Sequence, residues 1–125
     1  MSSWPTVWRD MRRGELWWVD LEPALPGEAG KTRPCVIVSN DANNVTARRL
    51  GRGTVTIVPL TSATARVFAF QVFIPAGEAG LPRDSKAQTE QIHAVAVERV
   101  RDRIGALDPA RRETLDRALR LQLGL

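Results

Sequence analysis

The hydrophobic pattern divides the chain into a long β-rich part and one C-terminal helix. Residues 41–50 are compatible with a short helix or a loop, and residues 76–83, with Gly77, Gly80 and Pro82, predict a loop. Alternating or continuous apolar runs predict strands at residues 15–20, 35–39, 54–59, 67–74, around 86–95 and, as a short strand, at 103–107. Trp17 and Trp18, being consecutive in a strand, should point to opposite faces.

The pattern changes period after the last predicted strand. Asp108 and Pro109 form a good helix start, with an acid at the N-cap and proline in the first turn. Leu115, Ala118, Leu119 and Leu123 then share one helical face. Short strands followed by one amphipathic helix predict a mainly β (α+β) fold, a small, partly open barrel closed by that helix.

The chain length and its segments indicate one domain. We see no internal repeat, and we expect residues 11–125 to form a single domain. Residues 1–10 have no clear period, so they are predicted to be an N-terminal extension, disordered or upstream of an alternative start at Met11. No apolar run is long enough to span a membrane, and no secretory h-region opens the chain. We therefore predict a cytoplasmic protein.

Charge is unevenly distributed along the chain. The formal net charge is +4, from 18 basic and 14 acidic side chains. No acid occurs between Asp41 and Glu78, whereas four arginines do: Arg48, Arg49, Arg52 and Arg66. Such a stretch fits a polyanion or an acidic protein partner, and it fits a solvated basic face equally well.

The loop between the first two predicted strands carries candidate chemistry. Its sequence, Gly-Glu-Ala-Gly-Lys-Thr-Arg-Pro, spans residues 27–34. The glycines allow close backbone approach to a ligand, and Pro34 biases Arg33 toward an extended conformation. A guanidinium with a carboxylate, Glu28, five residues upstream is suited to phosphodiester chemistry. An ordinary surface turn with solvated charges is the alternative.

The search for a metal or cofactor site fails. One histidine, His93, and one cysteine, Cys35, leave no ligand set at metal spacing, and no phosphate-binding glycine motif occurs. We therefore predict no cofactor and no metal. Cys35, in an apolar run, is expected to be buried, and His93 to be structural or on the surface.

A second polar cluster follows the strand at residues 54–59. Thr61 and Ser62 stand at the strand end, Asp84 and Ser85 open a later strand, and Gln91 lies along that strand. Hydroxyl groups at strand ends are often only turn caps. Beside a phosphate, however, a threonine hydroxyl can donate to a non-bridging oxygen.

Six motifs in order give a family resemblance. In sequence order they are Arg-Gly-Glu-x-Trp-x-Val-Asp-Leu (13–21), Gly-Lys-Thr-Arg-Pro (30–34), Val-Ser-Asn-Asp (38–41), Val-Pro-Leu-Thr-Ser (58–62), Asp-Ser (84–85) and Glu-Gln-Ile (90–92). The set resembles the MazF/PemK family of toxin endoribonucleases from bacterial toxin–antitoxin modules, over nearly the whole chain except residues 1–10. It implies an SH3-like barrel, a homodimer, and a small antitoxin that silences the toxin through an acidic, partly disordered segment.

The resemblance also implies an activity and its residues. The family cleaves single-stranded RNA without a metal, leaving a 2′,3′-cyclic phosphate and a 5′-hydroxyl. Its key arginine falls on Arg33, its key threonine on Thr61, its loop acid on Glu28 and its groove glutamine on Gln91. Many relatives carry Ser-Glu-Gln where this chain has Gly-Glu-Ala at 27–29, so two polar contacts of that loop are missing.

The expected roles follow from the chemistry of RNA cleavage. Arg33 would neutralise the phosphorane, and Thr61 would donate to a non-bridging oxygen beside it. Glu28 is the candidate base if desolvation raises its pKa, or else it forms a salt bridge to Lys31 or Arg33. Loops 48–53, 62–66 and 75–84 are candidates for base selection. The predicted RNA contacts are Lys31, Ser62, Arg66, Asp84, Ser85 and Gln91.

Two other functions fit the same predicted fold. One is a gyrase-poisoning toxin of the CcdB type, against which counts the absence of tryptophan among the last residues, 121–125. The other is a non-catalytic basic domain that binds RNA or protein.

Overall fold

The computed structural model describes residues 10–21 and 31–125. Their secondary structure comprises a seven-stranded antiparallel sheet and two α-helices. In chain order the elements are β1 (Glu15–Leu21), β2 (Lys31–Ile37), α1 (Asp41–Leu50), β3 (Thr54–Thr61), β4 (Gln71–Ile74), β5 (Ser85–Gln88), β6 (His93–Ala96), β7 (Val100–Ala106) and α2 (Pro109–Leu123). The predicted mainly β domain with a C-terminal helix is confirmed.

Strand β3 is the branch point of the sheet. The strand order is β4-β5-β3-β2-β1-β7, with β6 paired to β3 outside this path. The first residues of β3, Thr54 to Ile57, pair with β6, whereas its last two, Leu60 and Thr61, pair with β5. The two ends of β3 therefore belong to different neighbours, and Thr61 lies at the end next to β5.

Apolar side chains cover both faces of the sheet. In the register of β1, β2 and β3, Leu16, Val36 and Val58 lie side by side and pack against α2. On the opposite face, Trp17 and Cys35 belong to a second buried cluster. The continuous apolar run of β2 follows from this arrangement, because a strand buried on both sides needs no polar face. Both clusters hold the central strands in one register.

Capping residues fix the ends of both helices. Asn40 accepts a hydrogen bond from the Asn43 N–H at the start of α1, and Gly51 ends the helix in the left-handed conformation. Residues 41–50 therefore form a helix rather than a loop. At α2, Asp108 accepts from the Arg111 N–H at 2.8 Å, and Pro109 occupies the first turn, as predicted.

Three sequence expectations are wrong. The strand predicted at 67–74 begins only at Gln71, because residues 68–70 form a turn closed by a bond from the Gln71 N–H to the Phe68 carbonyl. The strand predicted around 86–95 is two strands, β5 and β6, separated by a 3₁₀ turn at Thr89–Gln91. Leu123, expected on the buried face of α2, is 49% exposed.

The chain enters the sheet at a buried methionine. Met11 is fully buried and packs into the cluster that contains Trp17. Residues 1–9 lie outside the described residues, so the N-terminal extension stays a prediction. Among residues 10–21 and 31–125, no helix is long and apolar enough to cross a membrane.

The packing of α2 predicts a stability difference between two leucines of the same helix. Leu115 is 1% exposed in the core, so Leu115→Ala should lower the free energy of unfolding by about 2–5 kcal/mol through lost contacts and a cavity. Leu121 is 59% exposed, so Leu121→Ala should change the free energy of unfolding by less than about 0.5 kcal/mol. Urea unfolding measures both, and equal losses would show that α2 does not pack through this face.

Candidate active site

A cleft opens where β2 and β3 separate. The ladder between these strands consists of Cys35–Pro59, Val36–Val58 and Ile37–Ile57, and it stops at the first of these pairs. Pro34 and Pro59 stand at that end, and the next hydrogen-bonded rung would need the N–H that Pro34 lacks. Beyond them, β2 stays paired with β1 while β3 pairs with β5. Two prolines therefore mark the point where the cleft begins.

The cleft has a volume of about 650 Å³ and brings together residues from distant parts of the chain. Four of the predicted site residues line it: Arg33, Thr61, Ser62 and Ser85. The complete lining is Trp18, Arg33, Pro34, Leu60, Thr61, Ser62, Leu81, Pro82, Arg83 and Ser85. The cleft therefore contains two guanidinium groups and three hydroxyl groups, beside apolar side chains.

Arg33 is available to a ligand. Within the described part of the chain, its half-buried side chain forms no ion pair and no hydrogen bond. Its backbone is fixed by pairing with Val19 on β1. A guanidinium that is always charged and offers a fixed fork of donors is suited to phosphate oxygens.

Among residues 10–21 and 31–125, the Thr61 hydroxyl donates no hydrogen bond, so its proton is available to a ligand. The Thr61 Oγ1 accepts a hydrogen bond from the Ala63 N–H at 3.2 Å, which orients the oxygen and does not use its proton. Ser62, next along the chain, is exposed at the cleft wall. Ser85 differs, because it is buried and its Oγ donates to the Arg83 carbonyl at 3.0 Å. Ser85 therefore holds the cleft wall in place.

Two residues that line the cleft, Trp18 and Arg83, were not predicted from the sequence as site residues. Trp18 is half-buried at the cleft, on the face opposite the buried Trp17, and offers a flat surface on which an unpaired base can stack. Alternation in β1 separated the two rings, but only the position of the cleft shows which ring meets a ligand. Arg83 lies in the loop that was predicted for base selection.

The loop that carries Arg83 is fixed on two sides. A Cβ at Gly105 would lie 2.2 Å from the Ala79 carbonyl oxygen, so this loop approaches β7 more closely than a side chain permits. Arg111 on α2 binds both carboxylate oxygens of Glu78, at 3.0 and 2.9 Å. These contacts hold the cleft wall at residues 81–83 in a defined position.

Three predicted RNA contacts do not line the cleft. Asp84 accepts from the Ala76 N–H at 2.8 Å and closes its own loop. Arg66 lies over the Phe68 ring, 5.8 Å from its centroid. Gln91 is exposed in the 3₁₀ turn between β5 and β6. Their contacts with RNA stay predictions.

Two further predicted residues, Glu28 and Lys31, come from the segment between the first two predicted strands. Glu28 lies outside the described residues, so its role as a base stays a prediction. Lys31 begins β2, where its backbone pairs with Leu21, and its contact with RNA also stays a prediction.

A charged cluster joins β1, β2 and β7. Asp20 accepts hydrogen bonds from the Arg101 guanidinium, at 2.6 Å for Nε, and from the Thr32 hydroxyl, also at 2.6 Å. The bonds from Arg101 and then Thr32 hold the pKa of Asp20 below its ordinary value. Asp20 therefore stays ionised and is a weak base, so we assign it a structural role.

The thiol and the imidazole do not contribute to the cleft. Burial raises the pKa of Cys35 to about 12, which keeps the thiol protonated. His93 is exposed on β6, with its Nδ1 2.7 Å from the Gln91 carbonyl oxygen. Among residues 10–21 and 31–125, no three His, Cys, Asp or Glu side chains come together as a metal-ligand set. A reaction without a metal stays a prediction.

Comparison with known proteins identifies the family. The model of the PemK-like, MazF-like toxins of type II toxin–antitoxin systems matches residues 12–123. This chain belongs to that toxin family. It is 53% identical over 115 residues to the endoribonuclease MazF9 of Mycobacterium tuberculosis, which covers 92% of this chain and 98% of the relative. The family predicted from the sequence is confirmed, and the CcdB-type alternative is set aside.

More distant relatives support the same family assignment. The endoribonuclease EndoA of Bacillus subtilis is 29% identical over 116 residues, covering 92% of this chain and 96% of EndoA. A solved mycobacterial endoribonuclease in complex with its cognate antitoxin superposes with a TM-score of 0.69 at 26% identity, covering 92% of this toxin and 96% of that chain. The described fold is thus that of PemK/MazF toxins.

The burial of Cys35 predicts that the folded toxin resists thiol reagents. At pH 8, 5,5′-dithiobis(2-nitrobenzoate) should not react with the native protein, because the thiol is buried and protonated. In urea the single cysteine should react completely. Rapid labelling of the folded protein, with an unchanged circular dichroism spectrum, would contradict the described position of β2.

Proposed function

We propose that this PemK/MazF toxin cleaves single-stranded RNA in the cleft between β2 and β3. The observation that carries the proposal is that one cleft holds the Arg33 guanidinium and the Thr61 hydroxyl, and that within residues 10–21 and 31–125 neither donates a hydrogen bond. The relatives MazF9 and EndoA are named endoribonucleases, which supports the same activity here. Trp18 adds a surface for an unpaired base.

The reaction forms one bond and breaks another at the same phosphorus. The 2′-oxygen of a ribose attacks the adjacent phosphorus, and the bond to the 5′-oxygen of the next nucleotide breaks. A 2′,3′-cyclic phosphate and a 5′-hydroxyl result. Arg33 neutralises the charge that builds on the non-bridging oxygens, and Thr61 donates to one of them.

We assign proton transfer to groups other than Arg33. The pKa of a guanidinium, above about 12, makes it inefficient as a proton acceptor or donor at neutral pH. We assign the removal of the 2′-hydroxyl proton to Glu28, in the segment that precedes β2. The 5′-oxygen takes its proton from solvent. The mechanism uses no metal and no cofactor, because Arg33 supplies the charge that a cation would otherwise supply.

We further propose that the toxin acts as a homodimer in the cytoplasm, silenced by an antitoxin. Apolar side chains, among them Ile92, Leu123 and Leu125, form half of the lining of a groove of about 360 Å³ beside α2, and polar or charged side chains form the other half. Leu123 and Leu125 are 49% and 85% exposed, which suits a surface that a second copy covers. Gln91 precedes Ile92, so dimerisation would place it at the shared groove. The acid-free stretch between Asp41 and Glu78 suits an acidic antitoxin segment.

Substitutions in the cleft should separate catalysis from folding. Arg33→Ala and Thr61→Val should each lower kcat for RNA cleavage by about 10²–10³-fold, since each removes a donor to the transition state. Arg117→Ala, at an exposed arginine on α2, is the matched control and should retain nearly full activity. Rates come from single-turnover cleavage, with thermal unfolding as the folding check. Cleavage by Arg33→Ala at the wild-type rate would remove Arg33 from the mechanism.

The attacking group can be tested with two RNA pools. With EDTA present, we expect cleavage of an all-ribose pool and none of a pool with 2′-deoxy sugars, because the 2′-oxygen is the nucleophile. The products should carry cyclic phosphate ends, detectable by mass spectrometry. Cleavage of the deoxy pool, or dependence on added Mg²⁺, would contradict this mechanism. Strong binding without cleavage would instead support a non-catalytic domain.

A further inference from the structure

A pair of stacked aromatic rings lies on the surface beyond the cleft. The rings of Phe68 and Phe70 have centroids 5.5 Å apart and planes inclined by only 3°. Phe68 is 44% exposed. We call these two rings the Phe68 platform. Single exposed aromatic side chains are common on protein surfaces, so exposure alone does not indicate a binding site.

Three polar side chains, each more than nine-tenths buried, hold the backbone that carries the platform. Burying such groups is costly unless they are hydrogen-bonded, and here the bonds go to this segment. The bonds run from Lys86 Nζ to the Arg66 carbonyl, from the Phe68 N–H to Gln71 Oε1 at 3.0 Å, and from the Thr89 hydroxyl to the Phe70 carbonyl. The platform is therefore fixed before any ligand binds.

Two cations flank the exposed ring. The Arg66 guanidinium lies 5.8 Å and the Lys86 ammonium 6.0 Å from the Phe68 centroid. Cations beside an aromatic face suit a ligand that combines a flat ring with negative charge. A nucleotide in single-stranded RNA has both, whereas an acidic peptide has the charge alone.

The platform is also close to the cleft. In the β3–β5 ladder, Lys86 is the direct partner of Thr61. Neighbouring strands lie about 4.8 Å apart, so the Lys86 backbone lies one strand beyond the threonine that contacts the scissile phosphate in the proposed mechanism. The Lys86 side chain then connects this position to the platform, because its ammonium is 6.0 Å from the Phe68 centroid. An RNA strand that places its phosphate at Thr61 can reach the platform with a nearby nucleotide.

We infer that the Phe68 platform is a stacking subsite for one unpaired base next to the scissile phosphate. The inference rests on the proposed RNA cleavage. The subsite contacts the face of the base, so it holds the strand and tolerates different bases, while the exposed Arg66 guanidinium attracts the phosphate attached to it. A base paired in a duplex has no free face, so the subsite favours single strands.

The test pairs protein variants with RNAs that lack single bases. An RNA that the wild-type toxin cleaves is made with a 2′-deoxy sugar at the scissile position, so that binding is measured without cleavage. A series then removes one base at a time on either side of that position. We expect Phe68→Ala to raise the Kd for the intact RNA about tenfold, because the stacking surface is lost. Phe68→Trp keeps a ring and should change this Kd less than about twofold. With one abasic RNA, wild type and Phe68→Ala should bind equally.

Val67→Ala is the matched control, because Val67 is 41% exposed in the same segment and carries no ring. It should bind every RNA as wild type does, and all variants should share its unfolding midpoint. If Phe68→Ala raised the Kd of every RNA in the series by the same factor, or raised none of them, the subsite would be overturned while the cleavage activity stands. Loss of affinity by Phe68→Ala only for an acidic antitoxin peptide would also overturn it. A wild-type toxin that cleaves no RNA would overturn the proposed function and the subsite together.

Discussion

The structure depends on the end of the ladder between β2 and β3. Pro34 lacks the N–H group that a further rung requires, and the strands separate there toward different neighbours. The gap leaves Arg33 on one wall and Thr61 on the other. A site built at strand ends is held by the sheet itself, so its groups need little reorganisation when a ligand binds.

The rest of the fold keeps these two strand ends in place. Apolar side chains on both faces of the central strands fix their register, and a slip of one residue would exchange the faces and move Arg33 away from the cleft. Buried polar side chains then fix the surrounding walls. Ser85 binds the Arg83 carbonyl, and Lys86 binds the Arg66 carbonyl. Core packing and polar contacts thus serve the same small region.

Local patterns predicted the parts of the fold that local physics determines. The alternation of apolar and polar residues predicted β3, and the capping residue Asp108 predicted the start of α2. Motif order led to Arg33 and Thr61 through a family resemblance. The break between β5 and β6 could not be predicted, because the Thr89 hydroxyl bonds to the Phe70 carbonyl, 19 residues away in sequence. The burial of Lys86 and the position of Trp18 at the cleft likewise depend on contacts between distant strands.

The central claim is that the scissile phosphate lies between Arg33 and Thr61. A crystal structure of the toxin with an RNA that carries a 2′-deoxy sugar at the scissile position tests it most directly. We predict that a non-bridging oxygen of that phosphate accepts a hydrogen bond from the Arg33 guanidinium and one from the Thr61 hydroxyl, each about 2.7–3.0 Å long. A phosphate bound elsewhere, for example in the groove beside α2, with the cleft between β2 and β3 free of RNA, would contradict the account.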